Sequence, residues 1–251
     1  AGLAMRKKKP FAYTIAAFSL YRPFEMIRDD ICYQNLPVTI VGMGAGTIYA
    51  NLGGTHLTQE DVSIAKSLPN MQIICPCDPL ELKEAVKFCA TKNKSPTYLR
   101  IGKSGEPNLT KNSNEKWVFG KIRNLVKGSK ICLISFGPIM KMSYKIKEEL
   151  NLINSFPSIY SCHTIKPLDT KKIKKMFKEY KLIVCIEDHS CINGLASDLK
   201  SLAYENKYKG NILSYSLKDQ FFHSYYNQKL LLQKHGIDQK GITKQIVKYL
   251  K

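Results

Sequence analysis

The chain has 251 residues, 44% of them hydrophobic and 24% charged, a balance that can bury a sizeable core and excludes wholesale disorder. No apolar run approaches the roughly 20 residues that a membrane span needs, so no membrane partner is expected. The formal charge of +19 comes from 34 lysines and only five arginines; base-reading proteins lean on arginine forks, so the lysines read as a solvated surface and no nucleic-acid partner is expected.

The first residues, Met5-Arg6-Lys7-Lys8-Lys9 before Phe11–Leu20, mimic a signal peptide, but Pro10 intervenes and charge resumes at Arg22. Opening at Ala1, the sequence reads as the middle of a longer polypeptide. Phe11–Phe18 is β-branched and aromatic and predicts a strand. Arg22–Tyr33 predicts a helix with Phe24, Ile27 and Ile31 on one face. Pro37–Val41 is a continuous apolar run of buried-strand type that ends in glycines. Glu60–Ser67 predicts a short helix and Gln72–Cys75 a strand. Asp78-Pro79 then opens a helix to about Ala90, with Asp as cap and Pro in the first turn. Thr97–Ile101 is another strand. A polar stretch, Gly105–Lys116, has linker composition.

Beyond it the grammar repeats. Strands are predicted at Lys130–Phe136, Ser158–Ser161, Leu182–Ile186 and Ile212–Tyr215; helices at Ile139–Leu152, Asp169–Tyr180, Gly194–Tyr204 and Thr243–Leu250. Such alternation predicts an α/β chain of two doubly wound, mostly parallel-sheet domains. The expected division is 1–108 and 125–251, with a linker at 109–124. Ligands of such sheets bind beyond the carboxyl ends of the strands.

The strand-end loops carry the candidate chemistry. Gly42-Met-Gly-Ala-Gly46 follows a strand, but no helix opens after it as a dinucleotide fingerprint requires, so its glycines serve a close backbone approach. His56 closes the same loop, where an imidazole can exchange hydrogen bonds. Arg100 and Lys103 at the next strand end could receive an anion. Glu187-Asp188-His189 is not a preassembled dyad, because neighbours on a strand point apart, and it reads as structural or as part of an interface. Eight scattered cysteines include no zinc spacing; most sit in apolar runs, which fits buried thiols in a reducing, cytoplasmic setting.

Several segments in order resemble the C-terminal portion of a transketolase: Ala1-Gly-Leu-Ala4; Phe18-Ser-Leu-Tyr-Arg22 with Ile27-Arg-Asp29; Gly53-Gly-Thr-His56, Glu60-Asp61 and Leu68-Pro-Asn70; Pro76-Cys-Asp78 with Glu81; and Glu187-Asp-His189 with Ile192-Asn-Gly-Leu195. The match spans nearly the whole chain and corresponds to a pyrimidine-binding domain followed by the family's C-terminal domain. Deoxyxylulose-phosphate synthases and the β subunits of 2-oxo acid dehydrogenases share the layout; the Gly-Thr-His…Leu-Pro-Asn run favours the transketolase side. The resemblance implies thiamine-diphosphate chemistry that moves a two-carbon ketol unit between sugars. It implies Phe18 against the cofactor's aminopyrimidine, with Tyr21 and Ile15 as neighbouring walls, and His56 on substrate hydroxyls. It implies Arg100 and Lys103 near a substrate phosphate.

Two departures follow. The family's Asp four residues before the His is Leu52 here, which bears on acceptor stereochemistry. The family's glutamate at the aminopyrimidine lies upstream of Ala-Gly-Leu-Ala. The diphosphate-binding domain with its Mg²⁺ (or Ca²⁺) site is expected on a partner domain or subunit, in a homodimer or α2β2 assembly. The alternatives are a 2-oxo acid dehydrogenase β subunit and a non-catalytic scaffold.

Overall fold

The apolar run expected as one strand at 11–18 divides in two. After a short helix α1 (Gly2–Met5), strand β1 (Phe11–Ile15) pairs in parallel with β2 (Thr39–Met43), Phe11 opposite Thr39 and Ile15 opposite Met43. The pairing ends at Ile15, and the helix-favouring Ala16-Ala17 pair opens α2 (Ala16–Leu20). Phe18 therefore sits on a helix just past a strand's carboxyl end. The next helix, α3, begins as Phe24–Met26 and continues with π-helical pitch through Ile27–Tyr33, burying Ile27 and Ile31 as the spacing predicts. This computed structural model describes residues 1–113, 115–223 and 225–250; Asn114 of the separator, and Ser224 and Lys251 of the expected second domain, lie outside the described residues.

Helix α4 (Asp61–Ser67), strand β3 (Gln72–Ile74), helix α5 (Pro79–Thr91) and strand β4 (Thr97–Ile101) complete the first unit. Asp78 caps α5 as expected, accepting from Glu81 N at 2.8 Å, a contact worth about 1 kcal/mol. The second half runs β5 (Arg123–Val126), β6 (Ile131–Ser135), α6 (Met140–Asn151), β7 (Ser158–Ser161), β8 (Thr164–Lys166), α7 (Thr170–Glu179), β9 (Leu182–Ser190), α8 (Leu195–Glu205), β10 (Asn211–Leu217), α9 (Gln228–Lys234) and α10 (Gln239–Leu250). Two five-stranded sheets result, ordered β1-β2-β4-β3-β8 and β10-β9-β6-β7-β5. Each is parallel except for one antiparallel edge, β8 on β3 and β5 on β7.

Among the described residues the structure adds five helices and strands to those read from sequence: α1, α2, β5, β8 and α9. Strand β8 follows the separator in sequence yet joins the sheet that precedes it, with Ile73 opposite Lys166. The core likewise crosses the boundary, packing Leu20, Ile27, Ile73 and Tyr98 in one cluster with Phe136, Tyr160, Ile183 and Leu195. The expected linker is itself packed. Thr110 donates from N and Oγ1 to Asp78 at 2.7 and 2.8 Å, Phe119 stacks on Phe88 at 4.3 Å, and Arg123 pairs with Glu81 at 2.9 Å. The cysteines are all free and buried except Cys191, which is exposed.

Candidate functional site

In the first sheet β1, β2, β4 and β3 run parallel, so their carboxyl ends share one edge. Two ring systems meet there. Phe18 arrives on α2 and His56 on the loop between β2 and α4; their centroids lie 5.2 Å apart, edge to face at 67°. Thr55 Oγ1 sits 2.9 Å from His56 Nδ1 and fixes that side of the imidazole. The exposed Arg22 guanidinium, one helical turn from Phe18, lies 4.4 Å over the Phe18 ring. A 330 Å³ groove opens beside this group, lined by Ala12, Thr14, Phe18, Ser19 and Ile27 among others.

Tyr21, half-buried and three residues along the chain from Phe18, buries its hydroxyl. Burial, with the charges of Asp61 and Glu60 adding, pushes its phenol well above the ordinary range. Burial also raises the Glu60 carboxyl, while the Tyr21 hydroxyl works against that rise. Ile15, half-buried, ends β1 at the same edge.

Arg100 is placed differently from the sequence expectation. It is 2% exposed, its Nε donating to Asp61 Oδ2 and its Nη2 to the Asp188 carbonyl, both at 2.8 Å. Those groups are therefore engaged inside the protein rather than turned to an anion. Lys103 is exposed and lines a separate 540 Å³ cleft with Tyr13, Met43, Tyr49, Cys77 and Glu106. The structure thus brings Phe18, His56, Ile15 and Tyr21 to one strand-end edge, turns Arg100 inward and sets Lys103 beside a neighbouring cleft.

The inward side is a polar junction between the two sheets. Asp61 Oδ2 also accepts from the Tyr98 hydroxyl at 2.8 Å, and His189 Nε2 lies 3.9 Å from Asp61 Oδ1. His189 Nδ1 meets the Ser190 carbonyl at 2.9 Å and Ser63 N donates to Nε2 at 3.3 Å, which assigns a neutral ring with its proton on Nδ1. Burial pushes this histidine down to about 4, against the pull of Asp61. Asp188 takes Thr47 N and Oγ1 at 2.9–3.1 Å, and burial raises its carboxyl although Arg100 and Thr47 oppose that shift. Its neighbour Glu187 accepts from Leu195 N at 2.8 Å and Ser216 Oγ at 2.6 Å and is pushed up to about 7 by burial. Sequence reasoning singled out Glu187-Asp188-His189 as structural but missed its partners Asp61, Arg100 and Thr47. The available signal was β9 itself, where three ionisable residues follow an apolar run with no turn residue between.

Among the described residues no group of three His, Cys, Asp or Glu side chains could hold a metal ion, and no helix is long and apolar enough to cross a membrane. A half-exposed aromatic ring over a groove, with an imidazole at its edge, fits the flat heteroaromatic part of a cofactor.

An α/β chain with two such sheets and a ring pair at a strand-end edge defines a class, and sequence comparison makes it specific. Residues 1–107 match the family described as "Transketolase, pyrimidine binding domain", and residues 120–242 match "Transketolase, C-terminal domain". The chain belongs to the transketolase family, whose pyrimidine-binding domain is of the thiamine-diphosphate-dependent kind. It is 28% identical over 251 residues to one subunit of the apulose-4-phosphate transketolase of Phocaeicola vulgatus, covering 100% of this chain and 79% of that one. It is 31% identical over 252 residues to a putative transketolase C-terminal section of Methanocaldococcus jannaschii, covering 100% and 78%. Among solved structures it resembles a split-gene transketolase described as an inactive β4 tetramer, with TM-score 0.87, 28% identity, and 98% and 78% of the two chains covered.

Proposed function

We propose that the chain is the pyrimidine-binding subunit of a split transketolase, which transfers a two-carbon ketol unit from a ketose to an aldose once a diphosphate-binding partner completes the site. The observation that carries this reading is the Phe18–His56 pair, an apolar ring and an imidazole side by side at an open strand-end edge. The likeness to one subunit of another transketolase, and to a split-gene relative whose β4 tetramer is inactive, supports a chain that is inactive alone and works in an assembly such as α2β2.

In this reading thiamine diphosphate supplies the carbon nucleophile, and a partner domain or subunit holds its diphosphate through Mg²⁺ or Ca²⁺. Phe18 offers its ring to the aminopyrimidine, with Ile15 and Tyr21 as the adjoining walls. His56 hydrogen-bonds substrate hydroxyls near the reacting carbon. Lys103 receives a substrate phosphate as a point charge. Arg100 belongs to the frame of the site, because Asp61 and the Asp188 carbonyl hold its donors. The buried, reduced thiols suit a cytoplasmic enzyme.

The test is an assay of the chain mixed with its diphosphate-binding partner, thiamine diphosphate and Mg²⁺. Ketol transfer between sugars in the mixture, and none with either subunit alone, is expected. Decarboxylation of a 2-oxo acid with no transfer between sugars would replace this function by that of a dehydrogenase β subunit.

A further inference from the structure

We infer that Asp188 is a positioning residue for the cleft, through which the second sheet holds the loop that presents His56. The inference rests on the role proposed for His56 and extends it to a residue 132 positions away in the chain.

The loop between β2 and α4 is closed at its neck. Gly46 N donates to Thr58 O at 3.2 Å and to Thr58 Oγ1 at 2.8 Å, and Thr58 N returns a bond to Gly46 O at 3.1 Å. Everything from Thr47 to Leu57, His56 included, hangs from that closure. Asp188 grips it from outside. Its carboxylate takes both donors of Thr47 at 2.9–3.1 Å and Gln228 Nε2 at 3.3 Å, while its own carbonyl accepts from Arg100. Gly46 has φ +75, and a Cβ there would lie 2.7 Å from Asp188 Cγ, so the neck lies against the carboxylate with no room for a side chain.

A second support comes from the same half of the chain. Leu231 of α9 and the partly buried Phe222 and Tyr226 pack on Ala50 and Leu57, the apolar side of the loop. The polar grip and the apolar brace converge on Gln228, which starts α9 and also reaches Asp188. The second half is therefore a mount for His56, although it contributes neither ring of the pair. A buried carboxylate with three protein donors holds direction, because each lost contact leaves another buried group unpaired.

Hydrogen–deuterium exchange on the chain alone tests the mount directly. Asp188→Ala is expected to speed exchange in peptides covering 47–57 about tenfold or more while peptides covering 131–135 keep their rate. Thr47→Val, which removes only the Oγ1 donor, gives a smaller rise confined to the same peptides and serves if Asp188→Ala does not fold. Unchanged loop exchange, or a rise shared equally by both regions, overturns the inference. In the assembled enzyme a double-mutant cycle separates positioning from general damage. Asp188→Ala is expected to lower kcat/KM about tenfold, yet less than about twofold when His56 is already alanine. Equal losses in both backgrounds also overturn it. If the unsubstituted assembly transfers no ketol unit, the proposed function fails, and the exchange experiment still decides whether Asp188 holds the loop.

Discussion

The outward and inward faces of the strand-end edge are built on opposite principles. At the outward face Phe18 and His56 touch each other, Arg22 and Thr55 supply the remaining described contacts, and a groove lies open beside them. At the inward face Asp61, Arg100, Asp188 and Thr47 are buried and bonded in a chain of contacts near 2.8–3.1 Å. The outward face is open and sparsely bonded; the inward face is closed and densely bonded. The difference shows that a residue's chemistry does not reveal which face it serves, since arginine and aspartate are as apt to bind a ligand as to brace one.

That contrast can be broken most forcefully from the inward side. Arg100→Ala leaves Asp61 charged and buried with its cationic partner gone, and is expected to cost about 3–5 kcal/mol in a denaturant unfolding curve. A loss below about 1 kcal/mol would mean that the junction is not a frame. His56→Ala should show the reverse pattern. Unfolding should move by no more than about 0.5 kcal/mol, because the ring is only half-buried, while kcat/KM for ketol transfer in the assembled enzyme falls about 100-fold.

Glu187 sharpens the comparison through pH. Its carboxyl is raised to about 7 when folded against an ordinary value of 4.5, so the folded state favours the protonated form. Its contribution is present below the unfolded value and is lost as pH rises through 7. Wild type should therefore lose roughly 2 kcal/mol relative to Glu187→Gln between pH 5 and pH 8, read from paired melting curves. Equal pH slopes for the two proteins would show that the strand does not enclose this carboxyl. The smallest effect belongs to Phe18→Ala: cofactor retention in the assembled enzyme should weaken by about 0.5–1.5 kcal/mol, the worth of an aromatic pair, with the unfolding curve almost unchanged. Unchanged retention would remove Phe18 from the cofactor's wall.

Much of the framework was legible because it is local. Asp78-Pro79 announces the start of α5, Thr97–Ile101 reads directly as β4, and the spacing of Ile27 and Ile31 gives the buried face of α3. The helical setting of Phe18 was not legible, because a short apolar run carries no period that separates strand from helix. Strands β5 and β8 have four and three residues and take their stability from the strand beside them, so their own composition says little. The inward frame was illegible for a different reason. Thr47 and Asp188 are 141 residues apart and are brought together only by the tertiary fold. An arginine near a strand end carries the same signature whether it faces solvent or a buried aspartate.

Strand β8 sets a limit on how this protein can be cut and recombined. A fragment ending near residue 108 would lose the strand that covers β3, leaving a row of free amides and carbonyls as a template for stray strands. A chimaera that exchanges the front half for a homologue's would have to bring residues 164–166 along, or present a foreign strand to the graft. Any hybrid enzyme built from these halves inherits the same seam.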